Sequence, residues 1–245
     1  MKYIHVNCDL GEGGEQDDEL MSMITACSIA CGGHAGTLEI MHQTVAHAMK
    51  NDVEIGAHPS YPDKNNFGRI SLEMEPQDLK QSLVAQILSL KQIAEAEGGF
   101  LSHVKPHGAL YNDAAKDEAI ANIVIDSILE FEEKFPLFAP ENSVIARLAK
   151  GKLPVIFEVF ADRNYMNNYQ LVDRSKPGAV ITRKEEVFDH VFSMISEGKI
   201  TCNNGVKIPC NPATFCLHSD TPNAVENLKF MHRKLEEKGV KIKRS

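Results

Sequence analysis

Short apolar segments alternate with longer amphipathic segments along the whole 245-residue sequence. The short segments are rich in β-branched residues or alternate apolar with polar residues, as strands do, whereas the longer segments have helical spacing. No stretch rich in serine, glycine and proline divides the chain. Repeated strand–helix units predict an α/β fold with a parallel sheet covered by helices. Six or seven units in one undivided chain favour a closed (β/α) barrel, which we predict as a single domain over residues 1–245.

The individual elements follow from the same spacing. Strands are predicted over residues 3–8, 23–31, 53–57, 100–105, 137–139, 154–160 and 214–217, with a brief extended piece over 179–182 and a hairpin over 200–208. Helices are predicted over 37–50, 117–131, 142–149, 185–195 and 223–238, and from Pro76 to a stop at Gly98. Thr37 is a predicted helix N-cap. A solvated tail is predicted from three charged residues, Lys241, Lys243 and Arg244.

Polar residues with reactive side chains follow the predicted strands. In a parallel barrel the carboxyl ends of the strands meet at one mouth, where active sites lie. We therefore expect residues that are distant in sequence to converge there: Asp9, His34, His58, His107, Glu158, Asp162, His218 and Asp220.

Glycine-rich turns surround the first candidates. Asp9 and Glu12, in NCDLGEGG, are catalytic or metal-binding carboxylates, or else turn residues that cap the next helix. His34, in CGGHAG, lies where glycines let a ligand approach the backbone, although a hydrogen-bonded histidine in a tight turn is the alternative. His58 opens a proline-rich loop that ends near Arg69. Arg69 would either clamp an anion or form a surface ion pair.

The segment HVKPHGALYN carries the densest set of candidates. Strand periodicity places His103 and Lys105 on one face, which is the inward face of the predicted barrel. A buried lysine is costly unless it is paired or functional, so Lys105 is a strong candidate. Pro106 ends regular pairing and places His107 in the following loop.

Two later segments add carboxylates. Glu158 and Asp162 share a face if their strand extends that far. Asp220 follows the last strand, where it would either join the site or cap the last helix.

Composition and missing motifs exclude several classes of function. A net charge of −8, 7% aromatic residues and no tryptophan disfavour nucleic-acid binding. No run of about 18 apolar residues is present, so we expect no membrane span, and the acidic N-terminus does not resemble a signal peptide. Six cysteines without a secretory signal predict reduced thiols in the cytoplasm. No phosphate-loop, nucleophile-elbow or HExxH motif occurs.

Six ordered segments between about residues 7 and 239 resemble the LamB/YcsF family. They are NCDLGE, ACGGHAG, GAHPSYPD, HVKPHGALYN, EVFADR with RSKPGAVI, and LHSDTP. The resemblance implies a seven-stranded (β/α) barrel related to the glycoside hydrolase/deacetylase superfamily. It also implies ATP-dependent cleavage of the small lactam 5-oxo-L-proline to L-glutamate, carried out together with separate subunits B and C.

Lactam hydrolysis requires a base, an acid and a group that stabilises negative charge. We expect Asp9 or His58 to act as the base, His107 to donate the proton, and Lys105 to bind the oxyanion or the substrate carboxylate. The expected substrate-binding residues are Glu12, His34, Arg69, Glu158, Arg163 and His218. Because no phosphate loop is present, ATP is expected to be consumed by the complex, with the partner subunits activating the lactam by phosphorylation.

Two alternatives remain open at this stage. A divalent metal held by Asp9, His34 and His58 would suit a deacetylase-like hydrolase that needs neither ATP nor partners. A protein that binds lactam without catalysis is the other. For the lactam-opening enzyme, Lys105→Met is expected to abolish turnover and to leave the fold intact or more stable, because methionine keeps most of the volume.

Overall fold

Seven parallel strands close into a barrel in the computed structural model, which describes residues 2–243. Pairing runs around the barrel in chain order, and the last of the seven strands pairs with the first to close it. The barrel strands are β1 (Lys2–Leu10), β2 (Ala26–Ala30), β3 (Glu54–His58), β4 (Leu101–Val104), β5 (Leu137–Ala139), β6 (Val155–Phe160) and β9 (Thr214–Cys216). The predicted seven-stranded (β/α) barrel is therefore confirmed.

Helices connect the strands around the outside of the barrel. They are α1 (Asp17–Met21), α2 (Leu38–Lys50), α3 (Pro76–Ala96), α4 (Gly108–Ala114), α5 (Glu118–Ile128), α6 (Val144–Ala149), α7 (Lys184–Glu197) and α8 (Ala224–Glu237). The Thr37 side chain accepts from the Ile40 amide, as an N-cap should, and Asp117 does the same for α5. No helix in residues 2–243 is long and apolar enough to cross a membrane.

The structure adds elements that the periodicity did not predict. Helices α1 and α4 are too short to show a repeating apolar pattern. The hairpin forms as expected, from β7 (Lys199–Thr201) and β8 (Lys207–Pro209), but residues 179–182 contribute only an isolated bridge. The predicted tail is instead β10 (Val240–Ile242), which pairs with the start of β1. Lys241 pairs with Glu236, and Arg244 lies outside the described residues.

The outer and inner surfaces of the barrel differ in polarity. Outside, helices bury apolar stripes, such as the Leu79, Leu83, Ile87 and Leu90 face of α3. Inside, the His103 ring stacks on Phe138 with centroids 3.9 Å apart, and its Nε2 lies 3.1 Å from the Ser28 hydroxyl. A buried polar layer therefore lies beneath the barrel mouth.

Gly56 is required by this inner layer. A Cβ atom on Gly56 would lie 2.1 Å from His103 Nε2, on the neighbouring strand. We expect Gly56→Ala to lower the free energy of unfolding by about 1–3 kcal/mol, the usual cost of overpacking. Chemical denaturation of Gly56→Ala, of His103→Ala and of the double variant measures the energetic coupling between the two positions. Additive effects would contradict the contact, whereas a much smaller cost of Gly56→Ala in the His103→Ala background would support it.

Candidate functional site

The carboxyl ends of the barrel strands open into a cavity of about 700 Å³. Eight of the ten residues predicted to form the site line this cavity: Asp9, His58, Arg69, Lys105, His107, Glu158, Arg163 and His218. Glu12 and His34 are not among the lining residues and lie behind His107. The barrel thus brings together residues that follow different strands, as expected for parallel strands that share one mouth.

Lys105 is the centre of the site. It directly follows β4 and is 1% exposed, yet it carries a full complement of polar neighbours. Its Nζ lies 2.8 Å from Asp9 Oδ1, 3.0 Å from Glu158 Oε1, 3.2 Å from Asn7 Oδ1 and 3.0 Å from Cys216 Sγ. Burial opposes the charged amine, but Asp9, Cys216 and Glu158 outweigh it and raise the pKa of Lys105 well above its usual value. The side chain is therefore an ammonium ion.

Asn7 and Cys216 were not singled out from the sequence. Asn7 lies two residues before Asp9 on β1, and Cys216 lies two residues before His218, so period-2 spacing places each on the inward face. Asn7 Nδ2 donates to Glu158 Oε1 at 2.9 Å and to Thr214 Oγ1 at 2.8 Å. These bonds hold one oxygen of Glu158 against the Lys105 ammonium.

Asp9 connects the ammonium to a pair of histidines. Its Oδ2 lies 3.4 Å from His58 Nε2. Burial disfavours the Asp9 carboxylate, but the interactions of Asp9 with His58 and with the Lys105 ammonium outweigh that effect and hold its pKa well below the usual range. Asp9 is consequently ionised at neutral pH and is available as a base or as a partner for a cation.

The His58–His107 contact can hold one proton. His58 Nδ1 lies 2.7 Å from the Lys105 carbonyl and His107 Nε2 lies 2.9 Å from the Phe67 carbonyl. Carbonyls only accept, so both of these nitrogens carry hydrogen. In the neutral rings, His58 Nε2 and His107 Nδ1 therefore face each other at 3.0 Å without a proton between them. A single added proton would complete this hydrogen bond.

The environment of His107 makes that proton easy to release. Burial, followed by the charges of His34 and His58, holds the pKa of His107 well below its usual value. Its Nδ1 also lies 3.4 Å from Glu12 Oε1, which His34 Nε2 contacts at 3.0 Å. The His34 ring stacks on His107 with centroids 3.6 Å apart. Glu12 and His34 therefore position His107 from behind.

His218 forms a second, separate pair with Asp162. His218 Nδ1 lies 2.9 Å from Asp162 Oδ1, and the His218 amide and the Thr221 hydroxyl both donate to Oδ2. Burial disfavours the imidazolium, but Asp162 outweighs it and raises the pKa of His218. The ring stacks on Phe160, so His218 is fixed at the cavity wall.

Arginines lie at the rim of the cavity. Arg69 and Arg174 both form ion pairs with Asp220, the latter at 2.7 Å. The predicted alternative for Asp220, an N-cap of the last helix, does not occur, since Asn223 occupies that position. The Arg163 guanidinium donates to the carbonyls of Val172, at 2.8 Å, and Ala179, at 3.3 Å.

Comparison with known proteins identifies the family. The model of the LamB/YcsF family matches residues 4–245. The chain belongs to the LamB/YcsF family. The resemblance seen in the six sequence segments is thereby confirmed.

Relatives of this LamB/YcsF chain are similar over nearly their whole length. A protein from Pyrococcus horikoshii, named as the A component of 5-oxoprolinase, is 43% identical over 245 residues, which is 98% of this chain and 96% of the relative. A protein of the same name from Haemophilus influenzae is 40% identical over 243 residues, or 99% of each chain.

Solved structures share the barrel. The lactam utilization protein from Thermus thermophilus superposes with a TM-score of 0.91 at 33% identity, over 100% of both chains. A structure from Enterococcus faecalis superposes with a TM-score of 0.60 at 13% identity, over 99% of this chain and 97% of the other. The second likeness shows the fold alone.

Possible metal ligands in the LamB/YcsF site are grouped differently from the predicted triad. Within residues 2–243, three ligand atoms lie within 4.8 Å of one another in two groups, Asp9–Cys216–His218 and Glu12–His34–His107. The predicted set Asp9, His34 and His58 is not one of them. The Lys105 ammonium, 2.8 Å from Asp9, already supplies a positive charge there. The donor set around Asp9 therefore does not fit the predicted metal, and we derive no step through one.

The structure reverses the expected effect of Lys105→Met on stability. Methionine would leave Asp9 and Glu158 buried without their shared cation. We expect a loss of about 3–5 kcal/mol in the free energy of unfolding at pH 7, the usual cost of breaking a buried ion pair.

The loss should shrink at low pH. In wild type the depressed pKa of Asp9 contributes stability that is present above the unfolded-state pKa and lost only as pH falls through the folded-state value. Without Lys105, Asp9 takes up a proton at higher pH, so the variant approaches wild type as the pH is lowered from 7 to 5. Denaturation at both pH values measures this, with Lys80→Met, an outer-surface lysine paired with Glu130, as the control. Equal stability of Lys105→Met and wild type at pH 7 would disprove the interpretation.

Asp162→Asn tests the second pair. The raised pKa of His218 means that its contribution to stability is present below the unfolded-state pKa and is lost as pH rises through the folded-state value. Asparagine removes the charge that most strongly opposes the effect of burial, so the pKa of His218 should fall below that in wild type. NMR titration of the histidine rings measures the change. An unchanged His218 titration would show that Asp162 is not the dominant influence.

Proposed function

We propose that this chain is the A component of a 5-oxoprolinase and opens 5-oxo-L-proline to L-glutamate at the barrel mouth, together with subunits B and C in a complex that consumes ATP. One observation carries the proposal: a buried ammonium, a carboxylate and a histidine pair meet on the wall of one cavity, at Lys105, Asp9, His58 and His107. The names of the relatives and the barrel of the lactam utilization protein support it.

The residues present can supply what amide hydrolysis needs. Water must add to the carbonyl carbon, the ring C–N bond must break, and the leaving nitrogen must gain a proton. Asp9 or His58 would take the proton from water, since both line the cavity and Asp9 Oδ2 lies 3.4 Å from His58 Nε2. A proton taken up at His58 Nε2 is shared with His107 Nδ1 across the 3.0 Å contact, and the low pKa of His107 favours its release from this pair to the leaving nitrogen in the cavity. Lys105 would stabilise the negative charge that develops on oxygen.

The rim arginines are the best candidates for the substrate carboxylate. Arg69 and Arg174 share a single carboxylate, Asp220, which leaves one positive charge in excess. Lys105 is already surrounded by Asp9 and Glu158, and Arg163 is engaged by main-chain carbonyls. We therefore assign carboxylate binding to the Arg69–Arg174 pair.

We assign the ATP-consuming step to the partner proteins, because the sequence contains no phosphate loop. We also place the protein in the cytoplasm. None of its six cysteines forms a disulfide, which fits a reducing compartment.

A metal-dependent, deacetylase-like hydrolase is the second candidate. The Glu12–His34–His107 group favours it, since it could offer three ligand atoms to a divalent ion away from the Lys105 ammonium. Stoichiometric metal in the purified protein, together with ATP-independent release of acetate from N-acetylated substrates, would support this candidate over the 5-oxoprolinase component.

ATP-dependent release of glutamate from 5-oxo-L-proline tests the proposed function directly. The chain alone should show little activity, and addition of subunits B and C should restore it. Lys105→Met in the complex should lower kcat at least about 100-fold, the usual scale for loss of one oxyanion-stabilising group. Lys80→Met, on the outer surface, is the control. Robust turnover by the isolated chain would contradict the assignment of ATP to the partners, and lactam binding without turnover in the complex would indicate a purely binding role.

A further inference from the structure

Two buried polar atoms face the cavity without a hydrogen bond. Tyr111 is 6% exposed and Glu158 is 3% exposed, and both line the cavity. Tyr111 Oη lies near the Glu158 carboxylate, and neither Tyr111 Oη nor Glu158 Oε2 makes a hydrogen bond of normal length within residues 2–243. Folded proteins leave few buried polar atoms unpaired, because each loses its bonds to water. Both atoms are therefore available to a polar molecule that enters the cavity.

The Glu158 atom is a fixed acceptor. Its other oxygen, Oε1, accepts from Asn7 Nδ2 at 2.9 Å and faces the Lys105 ammonium at 3.0 Å. These contacts orient the carboxylate and keep it next to a cation. Oε2 is left as a hydrogen-bond acceptor on the cavity wall.

The Tyr111 atom is a donor beside it. Tyr111 lies one helical turn after His107, on α4, and its ring packs edge-on against Phe160, with centroids 5.5 Å apart. Burial, followed by the nearby charge of Glu158, raises the pKa of Tyr111 well above its usual value, so the phenol keeps its hydrogen. The two side chains thus present a donor and an acceptor at neighbouring positions.

We propose that Tyr111 and Glu158 recognise the cis-amide edge of a lactam, with the Tyr111 hydroxyl donating to the ring carbonyl and Glu158 Oε2 accepting from the ring N–H. This inference rests on the proposed function and names the feature of the substrate that the site selects. A five-membered ring forces the amide to be cis, so its N–H and C=O point to the same side. Open-chain amides are almost always trans and present these groups on opposite sides. Neighbouring donor and acceptor groups therefore favour the cyclic amide.

Ligand analogues separate the two hydrogen bonds. The test measures binding to the full chain by calorimetry with three probes: 5-oxo-L-proline, the corresponding lactone, in which ring oxygen replaces N–H, and N-acetyl-L-alanine, an open-chain amide with the same number of heavy atoms. Wild type should bind the lactam about tenfold or more tightly than either analogue, since each leaves a buried group unpaired.

Each variant should have its own signature. Tyr111→Phe should weaken lactam and lactone about equally, by roughly tenfold, because both carry the carbonyl. Glu158→Gln should instead abolish the preference for lactam over lactone. Tyr61→Phe is the matched control, since Tyr61 is also buried but its hydroxyl donates to Asp113 and it does not line the cavity. Tyr61→Phe should reduce thermal stability and leave the lactam-to-lactone ratio unchanged.

Glutamate release by the complete complex separates this inference from the proposed function. Two results would overturn the inference alone, provided that the wild-type complex turns over the lactam. One is lactam binding and KM in Tyr111→Phe that equal those of wild type. The other is equal affinity of wild type for lactam and lactone. Absence of both lactam binding and turnover in the wild-type complex would overturn the proposed function and the inference together.

Discussion

The ammonium of Lys105, buried between Asp9 and Glu158, is the interaction on which the rest of the site depends. An isolated charge at this depth would be strongly unfavourable, and the surrounding acceptors offset that cost. Those acceptors come from β1, β6 and β9, whereas Lys105 itself follows β4. The ion cluster can therefore form only when the barrel is closed. Closure of the barrel completes the fold and at the same time brings the charged groups of the site together.

The barrel separates two kinds of packing. Helix faces such as that of α3 cover the outside with apolar side chains, which provide most of the hydrophobic burial. The inside is polar from His103 and Ser28 up to Lys105 and Asp9. Because the helices stabilise the fold from outside, the interior can hold charged and hydrogen-bonded groups in fixed positions. Preorganisation of this kind is what electrostatic catalysis requires.

The elements were largely predictable, and the exceptions have a physical reason. Long helices with an N-cap, such as α2 after Thr37, begin within a residue of their expected positions. The short helix α4 has only seven residues and shows no repeating apolar pattern, so it was missed, and Tyr111 was missed with it. Strand β10 resembled a charged tail because only Val240 and Ile242 point inward, and their partner strand lies at the other end of the chain.

The linear order of residues is enough to predict a barrel and to place its reactive side chains at one mouth, because parallel strands bring their carboxyl ends together whatever lies between them. It cannot predict which of those side chains touch. Lys105 meets Asp9 across 96 residues and Cys216 across 111, while His34 contacts Glu12 and not Asp9. Those pairings depend on strand register and on how far each side chain reaches across the barrel, and both are decided only when all seven strands are in place.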